Sequence, residues 1–177
     1  MLTDAQLEAL RFPVGRWQRL EVANDGAIAE DIANLAAFPG RLRARLAHAS
    51  DAQLDTPYRP DGWKVRQVVH HCADSHLNCL IRLKLALTED MPTIKPYAEE
   101  RWADLPDYQL PVESSLRMLE SLHERIDFVL KHLQPSDWEL AYVHPQYGKT
   151  FTIAQVVSLY AWHCLHHFGH VGLVVGE

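Results

Sequence analysis

The chain has 177 residues, 47% of them hydrophobic, with 23 acidic side chains against 17 basic ones for a formal charge of −6. That is enough apolar material for one buried core and short for two, so a single domain over 1–177 is expected. The negative balance leaves no electrostatic footprint for nucleic acid or for docking on an anionic membrane, which excludes polyanionic partners.

Four segments have helical length and period, and the connections between them carry most of the prolines and glycines. The first runs from about Ala27 to His48 with Pro39-Gly40 inside it, where a kink or break is expected. The second, from Lys64 to about Thr88, follows the turn signal Pro60-Asp61-Gly62. A long connection, MPTIKPYAEERWADLPDYQLP, reads as a crossover or an excursion over one end of a bundle, and such loops are often functional. The third helix spans about Val112 to His132, between Pro111 and Pro135. WELAYVHPQYGKTFTI then places β-branched and aromatic residues on both sides of a glycine-containing turn, which allows a short hairpin. The fourth helix starts near Thr152, a candidate N-cap, and reaches about Val175. The expected architecture is an all-α, antiparallel four-helix bundle.

The three cysteines, Cys72, Cys79 and Cys164, all fall in helical stretches, so they form no disulfide framework and imply a reducing compartment. No charged-then-apolar leader opens the chain, and the most apolar segment, Thr152 to Val175, carries four histidines that a bilayer core would penalise. A soluble cytoplasmic protein is expected. On the second helix, Leu77, Leu80 and Ile81 lie off the stripe that should face the bundle, and this surplus apolar surface points to a two-fold homodimer.

Eleven histidines are the unusual count, and seven of them sit in two short clusters, VVHHCADSH and WHCLHHFGH. In the last helix Val156, Tyr160, His163, His167, His170 and Val174 share one side, so His163 and His167, one turn apart, project inward together and can chelate an ion. His166 is rotated off this stripe and His170 lies at its margin. Two buried imidazoles need partners for four ring nitrogens, which a metal on one nitrogen of each would halve. A third ligand must come from a facing helix. The second helix offers His70, His71 and His76, and its apolar period places His76 nearer the centre of the stripe than His71. A polar line of His71, Ser75, Asn78 and Arg82 between apolar flanks reads either as the wall of an internal cavity or as a solvent-facing strip.

The segments GWKVRQVVHHCADSHLN and YAWHCLHHFGHV, with LDTPYRPDGW, IRLKLALTEDMPTIKPY and the His-Pro before the last helix, resemble the DinB/YfiT superfamily over roughly residues 50 to 175. The likeness is greatest to its YfiT-type members, described as metal-dependent hydrolases and as bacillithiol S-transferases. The resemblance implies a bundle that binds one zinc or nickel ion through the histidine preceding the ADS stretch, which is His71, and through His163 and His167. Many such proteins carry glutamine where this chain has His170.

Three histidines leave a coordination position open, the arrangement of a catalytic rather than a structural ion. Two chemistries follow: hydrolysis by an activated water, or transfer of an activated low-molecular-weight thiol, bacillithiol-like by resemblance, to a small electrophile. Hydrolysis calls for a nearby carboxylate, and Asp74, one turn from His71, is the candidate base. Thiol transfer needs no such base, and Arg82 or Arg66 could hold carboxylates on the thiol carrier. That asymmetry, with the resemblance, ranks thiol transfer first. A third reading is a bundle that binds metal or a partner without turnover, which a fourth protein ligand such as His170 would favour.

Overall fold

The computed structural model describes residues 2–20 and 25–176. A short helix α1 (Asp4–Arg11) precedes the first long one, α2 (Asp25–Leu46); a single turn, α3 (Asp51–Leu54), leads to α4 (Val65–Thr88). The long connection contains α5 (Glu99–Trp102) and a 3₁₀ turn at Pro106–Gln109 before α6 (Glu113–Lys131). A two-stranded hairpin, β1 (Ala141–His144) and β2 (Lys149–Thr152), then feeds α7 (Ile153–Val175). Thr152 caps α7 as expected: its hydroxyl accepts from the Gln155 N–H at 3.2 Å, and the Gln155 side chain returns a bond to the Thr152 N–H. Thr152→Ala should therefore cost about 1 kcal/mol in chemical denaturation.

The four long helices form the bundle, α2 and α4 each packing against both α6 and α7. Side-chain pairs fix the directions. On α4, His71 meets His163 and His167, while the Ser75 carbonyl, a turn later, meets Tyr160, so α4 and α7 are antiparallel. His70 meets Ser115 and His76 meets His123, so α4 and α6 are parallel. Arg43 pairs with Glu113 and Glu120 whereas Leu35 meets His123, so α2 runs against α6. The helices thus do not simply alternate up and down. The long connection is the crossover that returns the chain to the start of α4, and it is pinned on the way by Ile94 and Pro92 pairing with Val143 of β1.

Of the kink or break expected at Pro39-Gly40, the break does not occur: Pro39 lies inside α2 without ending it. Having no N–H, it leaves the Leu35 carbonyl without the donor that the fourth residue onward normally supplies. Gly169 lets the chain after α1 lie against α7, since a Cβ there would come within 2.8 Å of Pro13 Cγ.

The core joins Leu35, Phe38 and Leu42 of α2 to Val65, Val68 and Leu83 of α4, Leu119 and Ile126 of α6, and Ile153 and Val156 of α7. All three cysteines are free and buried there, and burial pushes their thiols up, which marks them as packing residues. No helix among the described residues is long and apolar enough to cross a membrane.

The surplus apolar surface on the second predicted helix is smaller than the pattern implies. Leu80 is buried in the core and Leu77 is partly buried against it, leaving Ile81, 48% exposed, as the apolar residue of the three that faces solvent. Towards its start, α4 is also covered by the crossover, through Gln67 to the Ala103 carbonyl, His70 to the Leu110 carbonyl and Asp74 to the Tyr108 hydroxyl.

Candidate metal centre

His71 of α4 and His163 and His167 of α7 meet at the wall of a cavity of about 780 Å³, with one ring nitrogen from each lying within 4.8 Å of the others. His71 Nε2 is 3.2 Å from His163 Nε2. An ion held at tetrahedral angles by bonds of about 2.0–2.1 Å keeps its ligand nitrogens about 3.3 Å apart, so the spacing of this pair suits a first-row divalent metal. Burial pushes His71 down to about 4, and burial with the neighbouring imidazoles holds His163 and His167 well below the usual range. All three are then neutral near pH 7, the state in which imidazole carries a lone pair for a metal. Among the described residues their hydrogen-bond and ring contacts are with other histidines, Trp63 and Tyr160, and none is with a carboxylate.

Behind the three lies a second layer of histidines. His76, fully buried, puts Nε2 3.1 Å from His163 Nδ1, and its own Nδ1 is 2.7 Å from His123 Nε2. His123 Nδ1 ends this chain 2.7 Å from the Leu35 carbonyl that Pro39 leaves free. On the other side His170 Nδ1 is 3.3 Å from His167 Nδ1, with Nε2 3.1 Å from the Arg11 carbonyl. His76 thus stands behind His163, and of the two it is His71 that lines the cavity. His170 has both nitrogens engaged and its ring stacked 3.9 Å from that of Tyr58, although one nitrogen each of His166, His167 and His170 also lie within 4.8 Å of one another. His166 turns inward, against the helical period: it is buried, stacked on Trp162, and lines the cavity.

Of the two arginines considered for holding a carboxylate, Arg82 lines the cavity, its Nε buried without a partner and its guanidinium over the Tyr97 ring. Arg66 does not; it is tied to Asp51 and Asp55 at 2.9 and 3.0 Å. Asp74 also stands apart. Its carboxylate accepts from Tyr108 at 2.7 Å on the stripe covered by the crossover, and it is not among the residues lining the cavity. The crossover and hairpin supply walls that helical periodicity could not reveal, among them Tyr97, Tyr142 and His144.

Residues 34–171 match the DinB superfamily. A Bacillus mycoides protein with the name "putative metal-dependent hydrolase" is 47% identical over 165 residues, covering 93% of this chain and 95% of the relative. A Bacillus cereus protein of the same name is 48% identical over 162 residues, covering 92% and 93%. Among solved structures, YfiT from Bacillus subtilis, described as "a probable metal-dependent hydrolase with an unusual four-helix bundle topology", superposes with a TM-score of 0.90 at 38% identity, covering 92% of this chain and 94% of that one. A mycothiol-dependent maleylpyruvate isomerase has a TM-score of 0.66 at 16% identity over 82% of this chain and 60% of its own, a likeness of fold alone.

Proposed function

The chain belongs to the DinB superfamily, and from that premise we propose that it is a metal-dependent enzyme that transfers a low-molecular-weight, bacillithiol-like thiol to small electrophiles. His71, His163 and His167 would hold one divalent ion, zinc or nickel, which when bound supplies a Lewis-acid position that lowers the pKa of a thiol or water brought to it. The observation that carries the reading is the character of the cavity around the three imidazoles. They open onto a space large enough for a small molecule, bond to no carboxylate among the described residues, and share that space with a cationic Arg82 whose Nε lacks a hydrogen-bond partner there, the carboxylates of Asp61, Glu99, Glu100 and Asp104 lying elsewhere on the wall.

In this reading the thiol sulfur forms a bond to an electrophilic carbon, the leaving group departs with its electron pair, and the thiol proton passes to solvent. Arg82 binds a carboxylate of the thiol carrier and orients the sulfur toward the three histidines. Trp63 and Tyr160, in ring contact with His71 and His163, shield that end of the cavity from water.

Hydrolysis is the second reading, favoured by the names of the Bacillus relatives. It would require a base, and Asp74, bonded to Tyr108 away from the cavity, is badly placed to be one. The test is conjugation of small thiols to a model electrophile by metal-loaded protein, against metal-free protein and Asp74→Asn. Transfer should need the metal and survive Asp74→Asn, because that carboxylate takes no proton in it. Metal-dependent hydrolysis that Asp74→Asn suppresses, with no conjugation across several thiols, would replace transfer by hydrolysis.

A further inference from the structure

Two of the three histidines at the centre are each backed by other imidazoles that end on a backbone carbonyl, and a carbonyl can only accept. Behind His163 the end is the Leu35 oxygen, 2.7 Å from His123 Nδ1, so the proton of a neutral His123 sits on Nδ1. His123 Nε2 is then an acceptor, and at 2.7 Å it must receive from His76 Nδ1. His76 Nε2 becomes an acceptor in turn and receives from His163 Nδ1 at 3.1 Å. Each neutral ring has one proton, so the carbonyl sets the direction of every bond and leaves His163 Nε2 as a bare lone pair facing His71. The same logic runs behind His167. The Arg11 carbonyl takes the His170 Nε2 proton at 3.1 Å, His170 Nδ1 accepts from His167 Nδ1 at 3.3 Å, and His167 Nε2 is left bare. His71 has no such backing: its Nδ1 is buried without a hydrogen-bond partner among the described residues, and its Nε2, 3.2 Å from the bare His163 Nε2, donates to it until an ion replaces that proton.

We infer that the Leu35–His123–His76 and Arg11–His170 chains are built to fix the tautomers of His163 and His167, presenting both Nε2 lone pairs to a metal before it arrives. His76, His123 and His170 are positioning residues. Burial supports this by holding His123 neutral, at about 4, and His76 well below its usual range. Neither chain is a route for protons, because a carbonyl oxygen has none to give and keeps none it receives. Pro39 belongs to the device: the N–H it lacks is the one that would otherwise occupy the Leu35 carbonyl.

The inference rests on the proposal that the three histidines bind an ion, but its first test does not. In metal-free protein, nitrogen-15 NMR of the imidazoles should show His163 and His167 each as a single Nδ1–H tautomer, with His71 as the opposite one, its Nε2–H donating to His163 Nε2 at 3.2 Å. His123→Phe, which keeps a ring beside Phe38 but removes both nitrogens, should let His163 interconvert between tautomers. The same variant should weaken zinc binding about 10–100-fold in chelator competition. His123→Gln, whose amide can donate to Leu35 and accept from His76, should recover most of both signals. An Nε2–H tautomer at His163 in the wild-type apoprotein would overturn the inference whether or not metal binds. So would wild-type zinc affinity in a folded His123→Phe. A protein that shows the fixed tautomers yet binds no ion would leave the device standing and remove the metal reading.

Discussion

His163→Ala is expected to abolish metal retention and with it all metal-dependent turnover. His163 lies against both other members of the triad, with His71 Nε2 at 3.2 Å and the His167 ring 4.3 Å away between centroids. Two imidazoles remain after its loss, on different helices, and they hold a divalent ion far more weakly than three. The effect should exceed the roughly 10–100-fold of losing an outer partner of a ligand. The substitution also takes the donor from His76 Nε2, leaving a buried acceptor unsatisfied at a cost of about 1–3 kcal/mol. Elemental analysis after gel filtration measures retention, and far-UV circular dichroism checks that the bundle persists. One equivalent of metal on a folded His163→Ala protein would remove His163 from the ligand set and the proposed chemistry with it.

His163 and His167 are legible as a pair from their spacing, because residues four apart on a helix must share a face. The choice between His71 and His76 is not, and the structure shows why. Helical period measures how central a residue is to the core, and His76 is indeed central, with no exposure at all. A residue at the wall of a cavity lies at the margin of the apolar stripe, where His71 is found, and the count scores it as the poorer candidate. The four helices and the hairpin follow from composition and turn residues, but the direction of α6 does not. A connection as long as 89–112 can end at either side of a bundle, and only the cross-helix pairs His70–Ser115 and His76–His123 decide it. The crossover is also what engages Asp74 away from the cavity wall and covers part of α4, since Tyr108 reaches it from a loop that no periodicity describes. His123 carried a signal that could have been read: an imidazole among Leu116, Leu119, Leu122, Ile126 and Leu130 on α6, at a position the core requires to be filled and satisfied.

Metal-free protein should unfold cooperatively as the pH falls from about 6 to 4, a loss that begins about a unit above the point, near pH 5, at which carboxylates start to destabilise it. In the unfolded chain every histidine titrates near the usual value of about 6.5. In the folded protein burial holds His71 and His123 down to about 4 and His166 to about 3, with His76, His163 and His167 also lowered. Between those limits the unfolded state binds more protons than the folded one, so stability must fall with pH throughout the window and is unaffected above it. A depression from about 6.5 to about 4 corresponds to roughly 3 kcal/mol for a single group, and a domain of this size has only about 5–15 kcal/mol in all. Two or three such histidines are therefore enough. The exposed carboxyls of Asp55 and Glu113, drawn below their usual range by Arg66 and Arg43, lose their contribution only at lower pH and cannot mimic the effect. Bound metal should shift the transition to lower pH, because it binds the folded state alone and protons must first displace it from the imidazoles. His123→Gln removes one group that must stay neutral and should shift the metal-free transition the same way. Circular dichroism against pH, with and without zinc, reads all three curves; a metal-free protein whose denaturant midpoint is the same at pH 7 and pH 4.5 would show that these histidines are not held neutral by the fold.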